Sequence, residues 1–106
     1  MPKDFEGDAA PADFRVALAQ HLTEQGAAMY GAYWCPACAK QKELFGDAFR
    51  YITYVECDPG GTNPRPALCQ QKGILRYPTW ELGGRFYEGV IPLDALARLS
   101  GYEAQP

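Results

Sequence analysis

Met29-Tyr30-Gly31-Ala32-Tyr33-Trp34-Cys35-Pro36-Ala37-Cys38 carries an apolar run directly into a Cys-x-x-Cys. The run from Ala27 to Trp34 predicts a short buried strand. Pro36 suits the first turn of a following helix, where its missing N–H is no loss. Cys35 therefore falls at a helix N-terminus, where unpaired amides and the helix dipole favour a thiolate. Cys38 follows one turn later, close enough to close a disulfide ring with Cys35. A thiolate is the species that attacks disulfides, so the pair is a candidate redox centre.

Phe14, Ala17, Leu18 and Leu22 recur at helical spacing and predict a helix from about Pro11 to Gln25, stopped by Gly26. The helix after Cys35 is expected to run to Phe45, with Gly46 as its C-cap. Ile52 to Cys57 reads as a second strand, and Ala67 to Lys72 as a short helix ended by Gly73. Tyr77 to Leu82, Gly83-Gly84 and Arg85 to Tyr87 form a hairpin pattern. Leu93, Leu96, Ala97 and Ser100 mark a terminal helix closed by Gly101. The order is α-β-α-β-α-β-β-α, an α/β chain. Residues 1–10 read as a flexible lead or linker, and 11–106 as one domain.

Composition supports a packed globule. The 106 residues are 47% hydrophobic and include seven Tyr, five Phe and two Trp. A net charge of −3 without a Lys/Arg cluster gives no footprint for nucleic acid. No apolar stretch approaches the roughly 20 residues needed to span a bilayer. The acidic start at Met1-Pro2-Lys3-Asp4 has no hydrophobic signal region. The reading is a cytosolic protein, a mature form or an excised domain.

Four cysteines fit two disulfides, or one catalytic pair and two structural thiols. Cys57 and Cys69 bracket a Gly/Pro-rich loop, and cross-linking a loop of about 13 residues would stabilise the fold by about 3 kcal/mol. Two buried free thiols are the alternative. A zinc site would need a second closely spaced pair, which Cys57 and Cys69 do not form, and His21 lies in the first helix, apart from the cysteines. No metal and no cofactor are expected.

The order of elements, the Cys-x-x-Cys at the first strand–helix junction and Tyr77-Pro78-Thr79 before the hairpin resemble the thioredoxin fold, a central mixed four-stranded sheet flanked by helices. Longer blocks narrow the resemblance: Met29 to Cys38, Gln41-Lys42-Glu43-Leu44-Phe45-Gly46, Tyr54-Val55-Glu56-Cys57, Tyr77-Pro78-Thr79-Trp80 and Leu99-Ser100-Gly101-Tyr102. Together these are similar to the thioredoxin-like domains fused to bacterial and plant homologues of vitamin K epoxide reductase. The resemblance implies a thiol-disulfide oxidoreductase with Cys35 as nucleophile and Cys38 as resolving thiol. It implies a structural Cys57–Cys69 disulfide, a cis Pro78 facing the redox pair, and a substrate-binding edge at Trp34, Tyr77, Pro78 and Thr79. The partners implied are substrate proteins bearing thiols or disulfides and a membrane quinone-reducing domain, in the periplasm or thylakoid lumen. A monomer is expected.

Two positions depart from relatives of this fold. Ala37 lacks the histidine that strongly oxidising relatives place between the cysteines. Met29 stands where other thioredoxins put a buried carboxylate, six residues before the nucleophile, to take the proton of the resolving thiol. Glu56, Tyr54 or water are the substitutes within reach, although Glu56 reads first as a strand-end surface residue. Lys40-Gln41-Lys42-Glu43 reads as a solvated helix face, His21 as exposed on its helix, and Trp34 as an apolar lip or as core. The competing functions are a cytosolic thioredoxin- or glutaredoxin-type reductase and a redox-inert module that docks clients at Tyr77-Pro78.

Overall fold

A computed structural model describes residues 11–103; the lead expected at 1–10 lies outside them. The elements are α1 (Ala12–Glu24), β1 (Ala28–Gly31), α2 (Pro36–Phe45), a 3-10 helix (Gly46–Tyr51), β2 (Tyr54–Glu56), α3 (Pro66–Gln71), β3 (Thr79–Leu82), β4 (Arg85–Glu88) and α4 (Leu93–Ser100). The expected order holds, with the 3-10 helix added. That helix continues the crossover past Gly46, which ends α2 at φ 60°, because Ala48 and Phe49 still face the core.

The sheet order is β2-β1-β3-β4. β1 runs parallel to β2 and antiparallel to β3, which pairs antiparallel with β4. A parallel pair needs a long crossover, here α2 and the 3-10 helix. The β3–β4 pair needs only Gly83-Gly84, whose φ values of 56° and 80° suit a tight primed turn that other residues resist. This is the mixed four-stranded, helix-flanked sheet expected of a thioredoxin-like fold. Among the described residues, no helix is long and apolar enough to cross a membrane.

β1 is buried along its whole length, as a central strand covered on both faces must be. Its side chains alternate between two cores. Met29 packs with Leu18, Leu22, Phe45, Trp80, Leu93 and Leu96, beneath α1, α2 and α4. Ala28 and Tyr30 pack with Val55, Cys57 and Cys69, beneath α3. The register sets Met29 opposite Tyr54 and Gly31 opposite Glu56. Tyr54 and Glu56 therefore share the sheet face over which α2 lies.

Gln41 is the polar exception within the larger core. It sits inside α2, fully buried, and not on a solvated face. Its Oε1 accepts from Trp80 Nε1 at 3.0 Å and Ile91 N at 2.8 Å, while Nε2 donates to Ile91 O at 3.0 Å. One side chain thus ties α2 to β3 and to the segment entering α4. His21 also departs from expectation: its Nε2 lies 2.9 Å from Ser100 O, joining α1 to the end of α4, and its ring packs on Tyr102.

Candidate active site

Cys35 is the N-cap of α2, with extended backbone (φ −80°, ψ 120°), and Pro36 opens the helix. Its Sγ accepts from the Cys38 amide at 3.4 Å. The sulfur thereby meets the first amides of the helix, which have no partner within it. Cys35 and Cys38 are both free thiols here. The sulfur of Cys35 also lies 3.7 Å from Tyr77 O, and the Tyr77–Pro78 bond is cis. Sequence positions 42 residues apart are thereby brought onto one redox pair.

The rim is apolar and exposed. Trp34 is 56% exposed, which excludes the core-packing alternative, and meets Tyr77 edge-on at 6.0 Å between ring centres. Its indole Nε1 donates to Asp58 Oδ2 at 2.6 Å. That bond, followed by the Gly60 amide, holds the Asp58 carboxyl below its ordinary range. Pro78 is buried beneath the rim. Thr79 lies within β3, buried, with its hydroxyl donating to Arg76 O at 2.6 Å, so its side chain serves its own turn.

Both residues are buried, Cys38 the more deeply, at 1% exposed against 8% for Cys35. Burial, the largest cause, pushes the Cys38 thiol up to about 12. The neighbouring Cys35 adds to that rise, while a backbone hydrogen bond from Ala32 and the charge of Lys42 oppose it. The resolving thiol must shed a proton that it holds tightly. Met29, fully buried in apolar surroundings, offers no acceptor.

Glu56 is not a surface residue: it is 4% exposed. Its Oε2 accepts from the amides of Tyr33 at 3.2 Å and Asp58 at 3.1 Å, and its Oε1 from the Tyr54 hydroxyl at 2.8 Å. Lys42 Nζ sits 4.2 Å from the centre of the Tyr54 ring. The Trp34–Asp58 and Tyr33–Glu56 bonds join segments more than 20 positions apart, whereas Tyr54 and Asp58 reach Glu56 from two positions away on either side. Glu56 is among the candidate acceptors in the sequence; the Asp58–Trp34 bond has no local signal there.

Cys57 and Cys69 are joined to each other, with Cα atoms 5.7 Å apart, as the resemblance implies. They anchor the loop that carries Asp58 and leave no thiolate there for a metal. The arrangement can therefore carry out thiol-disulfide exchange: a sulfur at a helix start under an exposed rim, a second and more deeply buried sulfur one turn on, and a backbone edge beside the first.

No protein-family model matches the chain. It is 40% identical over 93 residues to the thiol-disulfide oxidoreductase LTO1 of Arabidopsis thaliana. The match covers 84% of this chain but 25% of the plant protein, so the chain spans about a quarter of that relative's length. With the sheet order, the placement of the cysteine pair and this similarity together, the chain is a thioredoxin-like domain of the kind that aligns with that stretch of the plant oxidoreductase.

Proposed function

We propose that this domain is a protein thiol-disulfide oxidoreductase that exchanges disulfides with substrate proteins through Cys35 and Cys38. The observation that carries the proposal is the placement of Cys35 Sγ at the start of α2, 3.7 Å from Tyr77 O, with Cys38 buried beneath it. In the oxidising direction, a substrate thiolate attacks Cys35 Sγ of the Cys35–Cys38 disulfide. A mixed disulfide forms, and Cys38 leaves with the electron pair and takes up a proton. A second substrate thiolate then attacks the substrate sulfur of the mixed disulfide, leaving the substrate oxidised and Cys35 and Cys38 reduced. The exposed Trp34 ring and the Tyr77 backbone beside Pro78 are the docking edge, where an extended segment can pair as an added strand.

The electrons then pass to a membrane quinone-reducing partner resembling vitamin K epoxide reductase, in the periplasm or thylakoid lumen. The family resemblance supports this, as does the Cys57–Cys69 disulfide, since structural disulfides persist in oxidising compartments.

Trapping tests the proposal. Cys38→Ser should accumulate mixed disulfides with protein clients through Cys35, and Cys35→Ser should accumulate none. In graded reductant the Cys35–Cys38 bond should open well before Cys57–Cys69. A Cys38→Ser protein that traps no client, or unchanged client oxidation by Cys35→Ser, refutes it.

A further inference from the structure

Resting on the redox reading above, we propose that Tyr54 and Glu56 are the proton path for Cys38, the Tyr54 hydroxyl passing the proton and the Glu56 carboxylate holding it. The path substitutes for the acid that Met29 cannot supply.

The geometry begins at Gly31. A β-carbon built there would lie 2.7 Å from Cys38 Sγ, 3.2 Å from Tyr54 Cε1 and 3.4 Å from Tyr54 Oη. Sulfur and hydroxyl thus converge over one glycine, at most about 6 Å apart, a gap that one water bridges. Any side chain at position 31 would fill it. Beyond the hydroxyl the path is explicit, since Tyr54 Oη already donates to Glu56 Oε1 at 2.8 Å. Glu56 in turn borders a cleft of about 340 Å³ lined by Tyr33, Lys42, Tyr54, Glu56, Thr62 and Asn63, through which its proton can exchange with solvent.

The groups around the path assign the roles. Burial first, then the bond to Glu56, drive the Tyr54 phenol far above its ordinary range, so a tyrosinate does not accumulate. Tyr54 must therefore receive one proton as it gives up another. Lys42 from α2 lies over its ring, and Cys35 and Cys38 face it from the same helix. Tyr33 and Asp58 meet Glu56 through their backbone amides, both on Oε2, which leaves Oε1 to Tyr54.

In the mixed disulfide between Cys35 and a substrate, the Cys38 proton moves through the bridging water to Tyr54 Oη as the Tyr54 proton moves to Glu56. The Cys38 sulfur attacks Cys35 Sγ, the Cys35–Cys38 bond forms, the bond to substrate breaks, and the substrate leaves as a thiolate. Reversed, the same path returns a proton to Cys38 when it is the leaving group.

Reaction of the reduced domain with Ellman's reagent separates the steps. The first release of thionitrobenzoate reports attack by Cys35 and depends on reagent concentration; the second reports attack by Cys38 and does not. Tyr54→Phe and Glu56→Gln should each slow the second phase at least about tenfold at neutral pH, modest beside the 10²–10⁴-fold range of general acid–base catalysis because water can substitute in part. The deficit should shrink as pH rises and hydroxide takes over, and the wild type's solvent isotope effect on this phase should change. The first phase should stay within about twofold, which also shows that each variant is folded. A second phase unchanged in both variants, or both phases slowed equally at every pH, overturns the relay. A wild-type protein that releases no second thionitrobenzoate overturns the redox reading, and the relay with it.

Discussion

Removing the Cys57–Cys69 bond should lower stability by an amount that the chain length between the cysteines sets. The two residues are 12 positions apart, and closing such a loop in the unfolded chain removes conformational freedom equivalent to about 3 kcal/mol at 25 °C. For a domain of this size, each kcal/mol moves Tm by roughly 4–8 °C, so Cys57→Ala/Cys69→Ala should melt about 15 °C lower. Packing adds to the loss, because both sulfurs lie buried beside Ala28, Tyr30 and Val55. The single variants separate the two contributions. Cys57→Ala alone already opens the loop, and adding Cys69→Ala removes only packing.

Thermal and urea unfolding should be followed with Cys35 and Cys38 both replaced by alanine, so that no other thiol exchanges. The functional consequence is read separately, with the redox pair intact. Asp58, next to Cys57, holds the Trp34 indole at 2.6 Å, so opening the loop should raise the exposure of Trp34 to a collisional quencher. A Tm loss under about 4 °C would refute the entropic reasoning, since it would mean less than 1 kcal/mol from loop closure. Unchanged Trp34 quenching would refute the link between the disulfide and the rim.

Two further perturbations probe how the fold is tied together. Gln41→Leu keeps the volume but strands Trp80 Nε1–H and both backbone groups of Ile91, and should cost about 3–5 kcal/mol in urea unfolding with an unchanged m-value; a loss under about 1 kcal/mol would refute the hub. The Tyr30 hydroxyl donates to Glu81 at 2.7 Å and is the main cause, ahead of Lys72, that holds the Glu81 carboxyl below its ordinary range. A carboxyl lowered in the folded state stabilises above its unfolded pKa, and that contribution disappears as pH falls through the folded one. Tyr30→Phe should therefore raise the Glu81 titration seen by carboxyl NMR, and the stability gap to wild type should narrow in acid; an unmoved Glu81 titration would refute it.

The elements were legible because they depend on nearby residues. The apolar run before Cys35, Pro36 as a helix opener and the Gly83-Gly84 turn each act within a few positions, and each stands where expected. The 3-10 helix has no local signal, because Gly46 marks a stop, while the packing of Ala48 that extends the crossover comes from across the core. Gln41 looked like part of a charged helix face for a similar reason. Its partners Trp80 and Ile91 are 39 and 50 positions away, and nothing in Lys40-Gln41-Lys42-Glu43 announces them.

Glu56 is the sharper case, because half of its role was present in the sequence. Strand alternation alone puts Tyr54 and Glu56 on one face, and Met29 and Gly31 on one face of their own strand. Alternation cannot say which residues stand opposite one another, and a slip of one position would turn Tyr54 and Glu56 to the other face of the sheet. The pairing of Met29 with Tyr54 and Gly31 with Glu56 removes that freedom. It brings Tyr54 from the neighbouring strand to the resolving sulfur, with the Glu56 carboxylate one hydrogen bond beyond it. An apolar Met29 and a bare Gly31 then have one joint consequence: the first leaves the resolving thiol without a base of its own, and the second leaves the space through which a base on β2 can serve it.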